Sequence, residues 1–578
     1  MQRGCAAAET KQIYSIQMKK TKLFAALLAG AFLAQQSAVA CTNILVTKGA
    51  SKTGSTMISY SADSHTLYGE LYYRPAADYP AGTMMKVYEW DTGKLLGEIP
   101  QAEHTFSVVG NMNEHQLLIG ESTWGGLPQL RDPQGIIDYG SLMYITLQRA
   151  KTAREALKIM TDLVAEYGYA SSGESISIAD PNEVWVIEII GKGVKMVDGK
   201  NVNKGAVWVA RRIPDGAISA HANQARITTF PMNDPENCIY SPDVISFARE
   251  EGLYKGKEKD FDFAAVYNPM DYSAMRGCEA RVWSVFRQVT DGMDQYLDHV
   301  TGKNPDNRMP LWVTPKHKLT VKDVAEFMRN HFEGTELDMT CDPGAGPFKL
   351  PYRWRPMTFK VGDEEFTNER AIATQQTGWW YVGECRSWLP DPIGGVLWFG
   401  MDDADGSPLT PFYCGIDRIP HAYEMGNGNM TTYSETSMFW VVNRVTNFAY
   451  GRYNIIHPDV ERAINRFENR CFAEQPAVDA AAEMLYQQDP KLAIDFLTDY
   501  SVNTAQRLFQ TWVDLDRYLL VKYIDGNIKK EVSEGVFMDN GQGRGIPASP
   551  EFPGYSEEWK EMVKEAAGER LKVVQPKQ

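Results

Sequence analysis

Cys41 stands directly behind Ala38-Val39-Ala40, and the residues that follow it, Thr42 to Val46, have strand character. A cut before Cys41 would leave one residue carrying both a free thiol and a free α-amino group. A thiol attacks as its thiolate, and with a free-Cys pKa of about 8.5 it needs a base close by to react at neutral pH. An α-amino group titrates at about 7.7–8.0, so the two groups on Cys41 can exchange a proton directly or through a water, without a separate His. Thr paired with its own terminal amine is the parallel arrangement. Removal of the preceding segment would then also activate the nucleophile.

Such a nucleophile needs support of two kinds. A carboxylate must orient the amine and balance its charge, and Asp63, at the end of the second strand of the first hairpin, is placed to fold back beside Cys41. The oxyanion of a tetrahedral intermediate needs hydrogen-bond donors. Asn223, in the strand-end segment Ala220-His221-Ala222-Asn223-Gln224, offers an amide. On the residues alone, a loop-capping Asp63 and a turn Asn223 are the favoured readings.

The segment ahead of Cys41 reads as an export signal. From Met18 it runs Lys19, Lys20, Thr21, Lys22, then an apolar stretch from Leu23 to Leu33, then small residues at the −3 and −1 positions. The apolar stretch is well short of the roughly 20 residues that a membrane span requires. Residues 1–17 are polar, and Met18 is the expected start. A Cys at the cleavage point also fits a bacterial lipoprotein with an acylated Cys41, but that site usually has Leu at −3, where Ala38 stands here.

Behind the cut, Thr42 to Thr47 and Ser55 to Ser61 read as a β-hairpin around Lys48 to Gly54. Further strands are expected at Met85 to Trp90, Leu95 to Ile99, Thr105 to Val109 and Gln116 to Thr123. A helix from Ala153 to Tyr167 is marked by Thr152 and Glu155 at capping-box spacing and by Ala156, Leu157, Met160, Leu163 and Val164 on one face, with Gly168 ending it. Strands resume between Glu174 and Ala222. A second capping box, Thr320 with Asp323, opens a helix through about His331, and Gly378 to Ile419 returns to strands. Beyond Pro458 the pattern becomes long amphipathic helices, such as Ala477 to Gln487 and Val502 to Ile524, whose apolar stripes read as packing layers. Strands and helices in blocks, rather than in βαβ alternation, predict an α+β fold. Three segments are expected: 1–40, removed; 41–455, catalytic; and 456–578, helical with a polar tail.

Composition excludes some partners. The net charge of −15 disfavours nucleic acid, whose binding is driven by Lys and Arg neutralising phosphates. No cofactor and no metal site is expected, because no pair of cysteines has zinc-ligand spacing and the nine His are scattered. Cys41, Cys238, Cys278, Cys341, Cys385, Cys414 and Cys471 make an odd number, which permits six paired cysteines and one free thiol at Cys41.

Several blocks resemble a known family. Cys-Thr-Asn-Ile-Leu-Val-Thr-Lys-Gly-Ala-Ser from position 41, Gly-Ser-Thr-Met-Ile from 54 and Ala-Asp-Ser from 62 are similar to the opening of the family C69 dipeptidases, N-terminal nucleophile (Ntn) cysteine hydrolases related to penicillin V acylases and bile salt hydrolases. Ile-Asp-Tyr-Gly-Ser from 137, Leu-Gln-Arg-Ala-Lys-Thr-Ala-Arg-Glu-Ala from 147, Tyr-Gly-Tyr-Ala-Ser-Ser-Gly-Glu-Ser from 167, Glu-Val-Trp from 183, His-Ala-Asn-Gln-Ala-Arg-Ile from 221 and Ser-Trp-Leu-Pro-Asp-Pro-Ile-Gly-Gly from 387 extend the likeness beyond residue 450.

The resemblance implies an αββα four-layer sandwich of antiparallel sheets, with a helical region added at the C-terminus. It implies Cys41 as nucleophile with its own amine as base, Asp63 as the residue that contacts the amine, Asn223 on the oxyanion side and Arg281 as an active-site Arg. Two positions depart from the pattern. Tyr60 stands where relatives commonly carry an Arg, and Thr123 lies near the place of a second oxyanion Asn in the acylase branch. Both are carried forward as substrate-binding candidates. The expected activity is that of an exported, periplasmic or secreted cysteine dipeptidase acting on short peptides. The alternatives are an amidase of N-acyl amino acids or bile salt conjugates, and a lipid-anchored protein that binds peptides or glycans.

Overall fold

The computed structural model describes residues 41–575, and the export signal read before Cys41 lies outside them. The chain opens as the expected hairpin. Strands β1 (Thr42–Val46) and β2 (Thr56–Asp63) pair antiparallel, Thr42 opposite Ser61 and Val46 opposite Met57. The turn between them needs a residue at positive φ, and Gly54 supplies it at +82°. A side hairpin follows, Met84–Tyr88 with Leu95–Pro100, its tip carrying Trp90 and Asp91. The stretch expected as one strand from Thr105 to Val109 is two short ones, His104–Thr105 and Val108–Val109, in different sheets.

Strand β3 (Leu118–Gly125) leads into helices α1 (Tyr139–Leu147) and α2 (Ala153–Tyr167). The α2 helix has the predicted ends: Thr152 Oγ1 accepts the Glu155 N–H at 3.2 Å, and Gly168 stops it at φ +80°. Its buried face, Ala156 to Val164, packs with Ile176, Ile178, Trp185 and Ile187 in one apolar cluster. Those last residues belong to β4 (Gly173–Ala179) and β5 (Val184–Gly191), which are followed by β6 (Ala206–Arg212) and β7 (Ile218–His221).

Helix α3 (Ala280–Val289) precedes α4 (Val321–Met328), which starts on the predicted box: Thr320 and Asp323 exchange side-chain-to-backbone bonds in both directions. It ends three residues before the expected His331, because the Glu333 carboxylate and Asn330 Oδ1 take the N–H groups of His331 and Phe332, and Phe332 turns to φ +68°. Strands β8 (Thr377–Cys385), β9 (Gly395–Met401) and β10 (Thr410–Tyr413) complete the β structure that positions the site.

Two sheets dominate, both antiparallel. The seven-stranded sheet has the order Trp312–Val313, β7, β1, β2, β8, β9, β10, and the eight-stranded sheet runs Cys238–Tyr240, β6, β5, β4, β3, then the short strands Met112–Asn113, Val108–Val109 and Tyr73–Arg74. Every residue of β1, β2, β8 and β9 is buried, as for strands covered on both faces. The fold is therefore mixed α and β with antiparallel sheets, as strands and helices in blocks predicted.

The two sheets come together at β3. Within the sheet β3 pairs with Met112–Asn113 only at Leu118, so its later carbonyls need other donors. Side chains from the seven-stranded sheet and the loop after it supply them: Tyr381 Oη donates to Ile119 O at 2.8 Å, Asn43 Nδ2 to Glu121 O at 2.5 Å, and Asn223 Nδ2 to Thr123 O at 2.6 Å. Gly120 permits this approach, since a Cβ there would stand 2.5 Å from Asn43 Oδ1 and 3.0 Å from Tyr381 Oη.

Helices α5 (Met438–Tyr450), α6 (Tyr453–Tyr486) and α7 (Pro490–Tyr523) pack together, and α7 lies on β10. The expected helices at 477–487 and 502–524 are parts of two 34-residue helices. The α6 helix runs through Pro458 and Pro476 because Ile456, Val460, Ile464, Glu468 and Cys471 keep a buried face at helical spacing. Glu468 on that face accepts from Arg329, at the end of α4, at 2.6 Å in a buried pair.

The expectation of paired cysteines is corrected. All seven cysteines of the described residues carry free thiols, and five of them, Cys41, Cys238, Cys385, Cys414 and Cys471, are buried as small apolar side chains. Among the described residues no helix is long and apolar enough to cross a membrane.

Candidate active site

Cys41 sits one residue ahead of β1 with no exposed surface, at the junction of the two sheets. Its backbone is held by Arg281, which α3 presents immediately after a π-helical turn at Ala274–Glu279, a distortion frequent at functional sites. Arg281 Nη1 donates to Cys41 O at 2.7 Å and to Thr42 Oγ1 at 2.8 Å. Its Nη2 donates to Ala222 O at 3.1 Å and to Asn223 Oδ1 at 2.8 Å, and Nε to Gly277 O at 2.7 Å. All five guanidinium donors are thus engaged. Burial, and then the charge of Arg370, pull the guanidinium down to about 10.

Asp63 ends β2 at a bulge against β8, with no exposed surface. Its carboxylate accepts from Arg370 Nη2 at 2.6 Å, Thr377 Oγ1 at 2.8 Å and Ser61 Oγ at 3.0 Å. Arg370 therefore balances the charge of Asp63, and nothing local in the sequence marks that partner 307 residues away. The backbone N–H of Asp63 favours the Cys41 thiolate.

Asn223 takes a left-handed φ of +61°, which Asn tolerates better than most residues. Besides its bonds to Thr123 O and Arg281, its backbone N–H donates to Ser122 Oγ at 3.2 Å. Two residues earlier, His221 is pinned between Ser122 Oγ and Ser177 Oγ, both at 2.6 Å. Burial, then the charges of Arg226 and Arg281, push its imidazole down to about 3, so His221 is neutral and is not the base for Cys41.

Tyr60 and Thr123 each lead to a carboxylate that sequence reasoning missed. Tyr60 Oη donates to Glu121 Oε1 at 2.6 Å, and the same oxygen lies 3.4 Å from Cys41 Sγ, with Tyr60 Oη at 3.9 Å from the sulfur. Thr123 Oγ1 donates to Glu174 Oε1 at 2.7 Å. Glu121 and Glu174 are both buried, and their carboxyl groups lie within hydrogen-bonding reach of each other. Burial raises both carboxyls, Glu121 to about 7, and the negative charge of Glu121 raises Glu174 further. Two buried carboxylates this close hold a proton rather than both ionise.

The sulfur feels the same field. Burial first, then the negative charges of Glu121 and Asp63, push the Cys41 thiol well above its ordinary value, and the Asp63 N–H and the Tyr60 hydroxyl oppose this only in part. With residue 40 attached, the thiol is held protonated. Among the described residues the groups that approach Sγ are a carboxylate, a hydroxyl and a backbone N–H, and the nearby Arg281 cation is engaged with the Cys41 carbonyl.

The raised Glu121 carboxyl makes a stability prediction. An acid whose folded pKa is raised stabilises the native state below its unfolded pKa, and that contribution is lost as the pH climbs through the folded value. Relative to Glu121→Gln, the uncleaved chain is therefore expected to lose up to about 3 kcal/mol as the pH rises from about 4 to about 8. Denaturant unfolding of both proteins across that range measures it, and a pH-independent difference would contradict it.

The sequence candidates Cys41, Asp63, Asn223, Arg281, Tyr60 and Thr123 thus converge on one place, with Glu121, Glu174 and Arg370 added by the fold. The chain is matched over residues 40–466 by the model of peptidase family C69. It is 26% identical over 497 residues to a "Probable dipeptidase" of Latilactobacillus sakei, covering 82% of this chain and 94% of that protein. A "Probable dipeptidase" of Salmonella dublin is 25% identical over 72% of this chain and 89% of its own length, and a "Probable dipeptidase B" of Streptococcus pyogenes serotype M1 is 23% identical over 85% and 95%. A likeness that begins at the candidate nucleophile and runs through the strands and helices around it makes this chain a peptidase, a member of peptidase family C69.

Proposed function

We propose that the protein is an exported dipeptidase whose nucleophile is Cys41, unmasked when the chain is cut behind Ala40. The observation that carries this reading is the setting of Sγ: a buried thiol facing the negative charges of Glu121 and Asp63, beside which cleavage would place an α-amino group on the same residue. Tyr60, in the place of an Arg, adds no charge of its own, so in this proposal the amine provides it.

The Cys41 thiol proton passes to the α-amino group, and Sγ bonds to the carbonyl carbon of the scissile peptide. The carbonyl π electrons move to oxygen, and Asn223, held at the end of β7 by Thr123 and Arg281, is the oxyanion-side donor. Collapse breaks the C–N bond, and the leaving amine takes the proton from the Cys41 ammonium. A water, deprotonated by the same amine, then hydrolyses the thioester. Asp63, neutralised by Arg370, fixes the strand end from which its N–H faces the sulfur. In the same proposal the two antiparallel sheets are the inner layers of an αββα sandwich, with α6 and α7 as an added helical region.

Side-by-side rates test the substrate. The mature protein is expected to cleave unblocked dipeptides at least tenfold faster, in kcat/KM, than N-acyl amino acids or bile salt conjugates. Faster turnover of the acyl amides would assign the chain to the amidase alternative instead.

A further inference from the structure

A cavity of about 260 Å³ lies between the sheets, on the face of the seven-stranded sheet that carries Cys41. The strand register places it. Cys41 continues the β1 pairing toward Ala62, and Ala62 stands opposite Trp379 on β8. Directly opposed residues point to one face and neighbouring strands are about 4.8 Å apart, so Trp379 shares the face of Cys41 about 10 Å away. Tyr381, on that face, reaches across to Ile119 O, and its strand partner Phe399 lines the cavity beside Trp379.

The opposite wall is aromatic. Tyr72, Trp90 and Tyr144 form a continuous stack, with ring centroids 4.1 Å apart for Tyr72 and Tyr144 and 4.3 Å for Trp90 and Tyr144. Glu70 is the carboxylic residue of the lining, half-buried, with burial raising its carboxyl and the Gly426 N–H, which it accepts at 2.7 Å, opposing that rise. The volume is slightly below the roughly 300–1,000 Å³ of sites that enclose a drug-sized molecule, and suits a single large side chain with its neighbouring polar group.

We infer that this cavity is the subsite for the N-terminal residue of the substrate, selecting a large apolar or aromatic side chain that carries an α-ammonium. The inference rests on the dipeptidase reading. Aromatic walls bury the side chain, and rings meeting at offset or edge contacts add to that burial. The Glu70 carboxylate attracts the ammonium on the N-terminal residue and repels the carboxylate on the C-terminal one, which fixes the direction of the dipeptide across Cys41. A span of about 10 Å is covered by one Cα and an extended side chain.

Leu67 lies half-buried on the lining, and Leu67→Trp fills the space. Three dipeptides, Phe-Ala, Ala-Phe and Ala-Ala, read the result. The Phe-Ala to Ala-Ala ratio of kcat/KM is expected to fall at least tenfold, and the Ala-Phe to Ala-Ala ratio to change less than threefold. An unchanged Phe-Ala ratio overturns the subsite, and a fall in the Ala-Phe ratio instead overturns its assignment to the N-terminal residue. Glu70→Gln keeps the shape and is expected to raise KM for Phe-Ala several-fold with kcat nearly unchanged. Titration calorimetry on the mature Cys41→Ala protein separates this inference from the dipeptidase reading. Phenylalaninamide should bind at least tenfold more tightly than alaninamide even if no dipeptide is turned over, and equal affinities overturn the subsite.

Discussion

Replacing Cys41 by Ala is expected to abolish dipeptide hydrolysis, with kcat falling at least about 10⁴-fold, while the stability of the protein changes by about 1 kcal/mol or less. The substitution removes one atom. Among the described residues that atom is approached by Glu121 at 3.4 Å, by Tyr60 at 3.9 Å and by the Asp63 N–H, and none of these approaches anchors the fold. The backbone of residue 41 stays held through its carbonyl by Arg281 at 2.7 Å. Steady-state kinetics with thermal unfolding measure both effects. Retained turnover would remove Cys41 from the mechanism and turn attention to Cys278, whose thiol faces Arg281.

The second large effect is expected at Asp63. Asp63→Ala leaves Arg370, which is buried and charged, without the carboxylate that it meets at 2.6 Å, and breaking such a pair from one side costs about 3–5 kcal/mol. Activity is expected to fall at least 100-fold, because the strand end that aims its N–H at Sγ loses its anchors to Thr377 and Ser61 as well. The double variant Asp63→Ala with Arg370→Met distinguishes the two roles. Stability should recover by half or more, since the buried guanidinium that lost the Asp63 carboxylate is gone, while activity stays low. Recovery of activity with stability would reduce Asp63 to a structural residue.

Much of the frame was legible in the sequence because its signals are local. The β1–β2 hairpin follows from alternating strand residues around a glycine turn, and α2 and α4 begin at the Thr residues that cap them. The site was legible in part: Asp63 and Asn223, read near strand ends, and Arg281, implied by the resemblance alone, all lie around Cys41. Glu121 was not, because in Leu118-Ile119-Gly120-Glu121-Ser122 it reads as an ordinary polar strand residue. Its contact with Cys41 spans 80 residues and exists only where β3 becomes a sheet edge.

Arg370 was hidden for the same reason. An ion pair across 307 residues leaves no periodicity to read. The α6 helix begins before Pro458, where the helical pattern was read to start, because Ile456, Val460 and Ile464 continue the apolar stripe through that proline and packing against α7 outweighs the missing N–H donor. The odd cysteine count pointed toward pairing only by arithmetic, and the fold spreads those thiols over separate elements.

The central claim is that the catalytic thiol and its base are made together, by a cut behind Ala40. Mass spectrometry of the N-terminal peptide from purified, active protein tests it most directly. The expected result is a peptide that begins at Cys41, with an unmodified α-amino group and an unmodified thiol. Full activity in protein that still carries Ala40, or a diacylglyceryl group on Cys41, would contradict it.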